Sequence, residues 1–279
     1  MKQRLFSTLS LSAILISVLW ILGIFGIIII VALLAFLTQY EFYQLLERAG
    51  LKPWRRLGLA CGLLITLGAG LTCLVMPSGA SGILLFLSLF VLSGTLLIQP
   101  LNLQTLKGFM GTLAGLLYVP FMLQFYILLA KDFQRDEQPI HGLFIFFWLI
   151  LIAKLTDVGG LLIGQYFGRT RLLPAVSPRK TREGALSGIV LAVVSGMLLV
   201  IFFRPYFPDG FSPLLAGFFA ALIALASIAS DLFASFIKRQ AKVKDSGTLI
   251  PGIGGVLDLT DSLLLSAPLG YLLLSFYTR

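Results

Sequence analysis

The sequence predicts an all-α polytopic membrane protein, and three observations support this fold class. Hydrophobic residues make up 58% of the 279 positions and charged residues only 12%, which is too apolar for a soluble domain of this length. Apolar runs recur along the chain with lengths near the ~20 residues that a helix needs to cross a bilayer. Basic residues concentrate in the short segments between these runs, as they do in cytoplasmic loops.

Each apolar run after the first predicts one membrane-spanning helix. The first run, residues 5–46, is too long for one span, because ~40 helical residues extend about 60 Å against a hydrocarbon core of ~30 Å. Gly23 and Gly26 near its middle permit a reversal, so we predict a helical hairpin there. Together with the seven later runs this gives about nine transmembrane helices. The later runs are 57–76, 81–98, 108–130, 142–166, 185–204, 212–237 and 262–277.

Loop charge predicts the orientation of these helices. Lys and Arg cluster in 48–56, 169–182 and 238–244, which we therefore assign to the cytoplasm. The segments 131–141 and 205–210 lack such clusters and are assigned to the opposite side. If the first run is a hairpin, the N-terminus is cytoplasmic and the C-terminus lies on the opposite side.

No internal repeat or linker divides the chain, so we expect one integral membrane domain over 1–279. Within it, residues 1–140 are expected to form a scaffold with lipid or dimer contacts, and 141–279 to carry the catalytic helices and loops. Cys61 and Cys73 lie in one apolar run and argue against disulfide or zinc chemistry. The basic loops fit lipid headgroups and phosphates, and we expect no nucleic-acid partner.

The helix that ends near residue 237 carries a polar face. Asp231, Ser235 and Lys238 are spaced i, i+4 and i+7, which places them on one side of a helix. A lysine at a helix end can reach the membrane interface without any function. A carboxylate two turns deeper should face protein or a water-filled cavity, so a functional role is favoured for Asp231.

Two further aspartates follow a glycine-rich turn. Asp258 and Asp261 are spaced i, i+3 directly after the Pro-Gly-Ile-Gly-Gly segment 251–255. One aspartate at a helix start can be a simple cap. Two carboxylates on one face repel each other unless a cation or proton lies between them, which favours a divalent metal over capping alone. Mg²⁺ suits oxygen ligands that act together with phosphates.

Other polar residues leave alternatives open. Lys154 and Asp157 interrupt the run 142–166, and a buried ion pair for packing and a catalytic role are equally supported. The basic segment 177–184, SPRKTREG, is explained by the positive-inside rule alone. The only histidine, His141, falls in the loop 131–141 on the far side, which excludes a Ser/His/Asp triad. What remains is charge neutralisation by metal, Lys and Arg, which suffices for phosphoryl or nucleotidyl transfer.

The C-terminal motifs resemble those of the phosphatidate cytidylyltransferases, also called CDP-diacylglycerol synthases. That family's signature reads S-x-x-K-R, K-D-x-G, P-G-H-G-G and L-D-R-x-D, and Thr156-Asp157 with the SPRKTREG segment resembles its upstream motif region. The N-terminal half agrees only in hydropathy and in the segment EFYQLL. The matching residues are Ser235, Lys238, Arg239, Lys244, Asp245, Gly247, Pro251, Gly252, Gly254, Gly255, Leu257, Asp258 and Asp261.

The resemblance implies transfer of a cytidylyl group from CTP to phosphatidic acid, with Mg²⁺ and a second cation such as K⁺ as a further candidate. It also implies a homodimer in the inner membrane of a bacterium, with the active site facing the cytoplasm. The implied catalytic residues are Asp231, Ser235, Lys238, Asp258 and Asp261. The implied metal ligands are Asp231, Asp258 and Asp261, with Asp157 as an additional candidate. The implied phosphate or nucleotide contacts are Arg239, Lys244, Asp245, Ser177, Lys180, Thr181, Gly252, Gly254 and Gly255.

The chain departs from the family pattern at Ile253, where the signature has His, and at Leu259, where it has Arg. These departures keep a catalytically silent paralogue open as a hypothesis. A CTP-dependent kinase of the polyprenol or phytol type is a second alternative, and it would need an aspartate as base. A cation-coupled transporter that uses the same aspartates is an alternative from a different class.

Overall fold

The computed structural model describes residues 15–74, 80–100, 102–134, 140–252 and 254–278. Helices form nearly all of its regular structure. In chain order they are α1 (Ile24–Arg48), α2 (Arg55–Leu74), α3 (Ala80–Ile98), α4 (Leu103–Tyr118), α5 (Pro120–Asp132), α6 (Ile140–Phe167), α7 (Arg182–Phe202), α8 (Pro213–Gln240), α9 (Val256–Thr260) and α10 (Leu263–Thr278). Strands β1 (Arg171–Leu173) and β2 (Ser177–Thr181) pair antiparallel between α6 and α7.

Within the described residues, six helical segments are long and apolar enough to cross a membrane. They are Ile24–Arg48, Leu103–Asp132, Ile140–Phe167, Arg182–Phe202, Pro213–Gln240 and Val256–Thr278. On α7 the apolar side chains of Leu186, Val190, Val194 and Leu198 recur every fourth residue and are 45–64% exposed. Such a stripe would be costly in water and suits contact with lipid. The chain is therefore a helical integral membrane protein.

The helix of the first apolar run is interrupted at Gly23, near the position at which the sequence predicts a reversal. Residues 15–22 are helical, and Gly23 adopts a left-handed φ of 54° before α1 begins. A Cβ at Gly26 would lie 2.8 Å from the carbonyl oxygen of Val18, so glycine is required where the two segments meet. The part of the predicted hairpin before residue 15 lies outside the described residues, and the hairpin as a whole stays a prediction.

One predicted span is interrupted. The run 108–130 corresponds to α4 and α5, which meet at Val119. Pro120 begins α5, and a proline removes one backbone donor and crowds the preceding turn, which explains the break.

The chain divides into two compact units. Unit 1 comprises Met1–Leu128 and Ile237–Thr260, and unit 2 comprises Leu129–Phe236 and Asp261–Arg279. The predicted division into a scaffold and a catalytic half remains a prediction.

Unit 1 has a core around the fully buried Tyr43 of α1. Its hydroxyl donates to the carbonyl of Thr112 at 3.0 Å and accepts from Gln39 Nε2 at 2.9 Å. Gly58 and Gly115 lie against its ring, so α2 and α4 approach α1 closely there. These buried hydrogen bonds join α1 to α4 and favour one register between the two helices.

Unit 2 is built on close packing of α6 against α7. A Cβ at Gly159 would lie 3.0 Å from the Cα of Gly188, and a Cβ at Gly184 would lie 2.6 Å from the carbonyl oxygen of Gly160. Small residues spaced by four allow two membrane helices to approach this closely. His141, which the sequence places in a loop, lies in the first turn of α6.

Candidate active site

Asp258 is the most highly connected carboxylate of unit 1. Its Oδ1 accepts from Lys238 Nζ at 2.7 Å, and both side chains are nearly buried, at 11% and 9% exposure. Its Oδ2 accepts from the backbone N–H of Ser246 at 2.8 Å, from Ser246 Oγ at 3.0 Å and from the N–H of Gly255 at 2.9 Å. The bond to Gly255 is the reach-back of a capping box, so Asp258 does cap α9. A metal role in addition to the cap remains a prediction.

In the glycine-rich turn before α9, backbone without side chains lies directly against the carboxylate of Asp258. Ile250 and Gly254 exchange backbone hydrogen bonds of 2.9 and 3.0 Å, which close a tight turn. Gly252 and Gly254 have φ values of 81° and 123°, in the region that favours glycine. A Cβ at Gly254 would lie 2.7 Å from Asp258 Oδ2. The three predicted glycines therefore shape the turn, and their contact with substrate stays a prediction.

Glu41 of α1 is a residue of this site that the sequence analysis did not select. It is 2% exposed, and its Oε1 accepts from the N–H of Val256 at 2.9 Å. Its Oε2 accepts from the N–H of Leu257 at 2.9 Å and from Ser246 Oγ at 2.7 Å. The available signal was a glutamate inside an apolar run, in the segment EFYQLL, because such a carboxylate needs buried partners.

A cavity of about 580 Å³ opens in unit 1 between the end of α1 and the segment after α8. Lys244 and Asp245, both predicted substrate contacts, line it beside Arg48 and Gln44. Tyr40 forms another part of the wall, and the guanidinium of Arg55 lies 4.1 Å from the centre of its ring. Cationic, amide and aromatic groups around one cavity suit a ligand that has phosphates and a planar base.

The side chain of Arg239 does not line this cavity. Its side chain is exposed, and its Nη1 donates to the carbonyl of Val243 at 3.2 Å, which ties the end of α8 to the following turn. Lys242 has a left-handed φ of 54° in that turn.

In unit 2, Asp231 forms an ion pair with Lys180. Lys180 Nζ contacts Asp231 Oδ2, and Ser235 Oγ donates to Asp231 Oδ1 at 3.4 Å. The two charged side chains are 30% and 18% exposed. The structure thus joins two predicted site residues that are 51 positions apart in the sequence, and no sequence pattern predicts this pairing.

The segment 177–184 is not the loop that the sequence suggests. Ser177–Thr181 form strand β2, and Thr181 then caps α7, since its Oγ1 accepts from the N–H of Gly184 at 3.1 Å. Glu183 accepts from the N–H groups of Arg169 and Thr170, which fixes the start of the hairpin. This two-stranded ribbon is a local departure from the all-α prediction, and it presents Lys180 to Asp231.

Lys154 has partners both in α6 and beyond it. Its Nζ lies 3.9 Å from Asp157 Oδ2 and donates to Ser262 Oγ at 2.9 Å. Both members of the ion pair are about one third exposed. The pair anticipated between Lys154 and Asp157 therefore exists, while the choice between packing and catalysis stays open.

Asp261 is buried, at 7% exposure, in the turn between α9 and α10. Its Oδ1 accepts from the N–H of Ser262 at 2.9 Å, and its carbonyl accepts from Ser230 Oγ.

No group of three or more His, Cys, Asp or Glu side chains positioned to hold a metal ion occurs within the described ranges. The carboxylates nevertheless have the chemistry that Mg²⁺ requires, because they are hard oxygen donors. Among the residues that the structure describes, Lys238 is the one hydrogen-bond donor to Asp258 Oδ1, which leaves a lone pair for a cation. Asp231 and Asp258 each contact a lysine, so each already accommodates positive charge.

The chain departs from the family signature at Leu259 and Ile253. Leu259 lies in α9 and is partly buried. Ile253 lies outside the described residues.

Comparison with known proteins agrees with these motifs. The sequence model of the Cytidylyltransferase family matches residues 2–277. A Synechocystis protein named phosphatidate cytidylyltransferase is 30% identical over 295 residues, which cover 96% of this chain and 94% of that protein. A Helicobacter pylori protein of the same name is 42% identical over 125 residues, which cover 43% of this chain and 43% of that protein. A Thermotoga maritima protein of the same name is 32% identical over 180 residues, which cover 61% of this chain and 60% of that protein. The family match spans almost the whole chain, and this protein is therefore a member of the Cytidylyltransferase family.

Proposed function

We propose that this protein is a phosphatidate cytidylyltransferase, which converts CTP and phosphatidic acid to CDP-diacylglycerol and pyrophosphate. The observation that carries this proposal is the similarity to the Synechocystis protein of that name along nearly the full length of both chains. The comparisons favour this enzyme over a lipid kinase or a transporter, because the relatives described above all carry the cytidylyltransferase name.

In the proposed reaction, an oxygen of the lipid phosphate attacks the α-phosphorus of CTP. A bond forms between that oxygen and the α-phosphorus, while the bond to the β-phosphate bridging oxygen breaks and its electron pair leaves with pyrophosphate. The attacking group is already an anion, so no histidine or other base is needed. Positioning and charge neutralisation are the tasks left to the protein.

Two lysines supply positive charge for the phosphates. Lys238 and Lys180 each lie against an aspartate, and this contact holds both ammonium groups in fixed positions inside the protein. Each donates to phosphate oxygens when substrate binds, and a preoriented donor stabilises the charge that develops in the transition state. Ser235 orients Asp231 through their hydrogen bond.

The nucleotide is proposed to bind at the cavity of unit 1. Its volume, about 580 Å³, falls in the range of small-molecule sites. Lys244 and Arg48 contact phosphate oxygens, with Arg239 at the exposed end of α8 as a further contact. In unit 2, Ser177 and Thr181 of β2 are proposed to support Lys180.

Mg²⁺ is the proposed cofactor, with K⁺ as a candidate second cation. Asp231, Asp258 and Asp261 would hold it, and Asp157 is an additional candidate. When bound, Mg²⁺ neutralises charge on the phosphates of CTP and the leaving pyrophosphate. The support is the oxygen donor set and the match of Asp258 and Asp261 to the family signature.

The proposed membrane arrangement follows from loop charge. We place nine helices across the bacterial inner membrane, with the N-terminus in the cytoplasm, the C-terminus on the opposite side and the active site facing the cytoplasm. The chain is proposed to act as a homodimer, as the family resemblance implies. Cysteine labelling at Lys2 and at Thr278 from each side of sealed vesicles would test the orientation.

The decisive experiment measures CDP-diacylglycerol formed from CTP and phosphatidic acid by the purified protein in detergent–lipid micelles with Mg²⁺. Wild type should form product, and Asp258→Ala should form none. Asp209→Asn, which changes an exposed acidic residue near Gly210, is the control and should remain active. A wild-type protein that is folded but inactive, under conditions in which the Synechocystis relative works, would refute the proposal and favour a silent paralogue.

A further inference from the structure

Glu41 is enclosed by hydrogen-bond donors from the segment that carries Asp258. The carboxylate is 2% exposed and accepts from two consecutive N–H groups, those of Val256 and Leu257. These N–H groups open α9, whose first turn has no intrahelical acceptors. Glu41 therefore fixes the start of the helix on which Asp258 lies.

A second connection runs through a side chain. Ser246 Oγ lies 2.7 Å from Glu41 Oε2 and 3.0 Å from Asp258 Oδ2, so one hydroxyl bridges the two carboxylates. The N–H of Ser246 also donates to Asp258 Oδ2 at 2.8 Å. Because a hydroxyl has one proton, Ser246 Oγ donates to one carboxylate at a time, and its position depends on both.

Residues larger than glycine at positions 247 and 255 would prevent the backbone there from approaching Glu41. A Cβ at Gly247 would lie 2.7 Å from Glu41 Oε1, and a Cβ at Gly255 would lie 2.7 Å from Glu41 Cδ. The position of the Glu41 side chain thus requires glycine at two positions of the family signature. This requirement links α1 to the signature segment.

We propose that Glu41 is a positioning residue for the transfer reaction, which sets the Asp258 carboxylate toward Lys238 and the cation through Ser246 and the first turn of α9. This inference rests on the proposed function. Glu41 borders the cavity proposed for the nucleotide, but it is 2% exposed and both of its oxygens accept from protein donors, so we assign it a role through Asp258 and not through substrate.

The test compares Glu41→Gln with Tyr43→Phe. A glutamine has one acceptor oxygen, so it leaves either Val256 or the pair Leu257 and Ser246 facing an NH₂ group. Tyr43→Phe removes an equally buried hydrogen bond two residues along the same helix, but one that leads to Thr112 and not to Asp258. It therefore serves as a matched control for loss of stability alone.

Two readouts are required. Hydrogen exchange, measured by mass spectrometry on peptides that cover 244–260, should be about tenfold faster in Glu41→Gln, the effect of one buried donor left without an acceptor. Turnover at saturating CTP should fall at least tenfold, and the Mg²⁺ concentration for half-maximal rate should rise, while KM for phosphatidic acid stays unchanged. Tyr43→Phe should alter neither. Ser246→Ala should show the same direction of change, and the double variant with Glu41→Gln should be less impaired than the product of the two single effects.

The outcomes separate the inference from the proposed function. Faster exchange in 244–260 with normal turnover and normal Mg²⁺ dependence would reduce Glu41 to a structural cap and overturn the inference. Unchanged exchange would overturn it as well, whatever the kinetics. An inactive wild type would refute the proposed function by itself, and exchange would then decide alone whether Glu41 positions this segment.

Discussion

The pair formed by Lys238 and Asp258 allows a quantitative test of the site. With an effective dielectric constant of ~20, two unit charges 2.7 Å apart attract by about 6 kcal/mol before the cost of desolvation is subtracted. Both side chains are about one tenth exposed, so solvent screens them little. Removing one partner of such a pair strands the other charge and typically costs about 3–5 kcal/mol.

We therefore expect Lys238→Met and Asp258→Asn each to lower the free energy of unfolding by roughly 3 kcal/mol. The lower end of the range is appropriate, because the carboxylate of Asp258 keeps its three other hydrogen bonds in Lys238→Met. The double variant should lose less than the sum, with a coupling energy of about 2 kcal/mol or more. The assay is reversible unfolding by SDS in mixed micelles, followed by tryptophan fluorescence.

The pair of Lys154 and Asp157 is the internal control. Its atoms are 3.9 Å apart and its side chains are about one third exposed, so screening should reduce its coupling to about 0.5 kcal/mol. Equal coupling energies for the two pairs, or additive losses at Lys238 and Asp258, would refute the reasoning from burial and distance.

Three further predictions follow from the packing, the second ion pair and the cofactor. Gly188→Ala should lower the free energy of unfolding by about 1–3 kcal/mol because its Cβ would meet the backbone of α6, whereas Gly94→Ala, with nothing within 4 Å, should be neutral or slightly stabilising in thermal melts. Lys180→Ala should lower kcat/KM for CTP at least tenfold, because it removes the partner of Asp231. Arg171→Ala, on the neighbouring exposed strand, is the control and should leave kcat/KM unchanged. Equal effects of the two substitutions would mean that Lys180 contributes only to the overall surface charge. EDTA should abolish CDP-diacylglycerol formation and added Mg²⁺ should restore it, so activity that persists after metal removal would contradict the magnesium proposal.

The fold was predictable from the sequence where one local pattern decides the structure. The intervals predicted for the later helices agree with those observed to within a few residues, since a run of about 20 apolar residues in a membrane has few alternatives to a helix. The interruption of the first run at Gly23 was predictable because that run is too long for one span. Pro120 carried the signal for the break between α4 and α5, but the prediction treated that run as a single helix.

The candidate site was less predictable, because residues distant in the chain meet there. The spacing of Asp258 and Asp261 suggested a site, but not that Asp258 would accept from Lys238, Ser246 and Gly255 together. Asp258 acts as a helix cap, the simpler alternative, and this does not exclude the metal role that the motif predicts.

The sequence by itself determined that this is a helical membrane protein of the Cytidylyltransferase family, because hydropathy and spaced motifs are properties of the chain alone. Only the tertiary structure decided that Glu41 holds the first turn of α9 and that Lys180 pairs with Asp231. These contacts join residues 215 and 51 positions apart. The physical reason is that a buried carboxylate must find donors somewhere, and only the packing of the helices determines which donors are within reach.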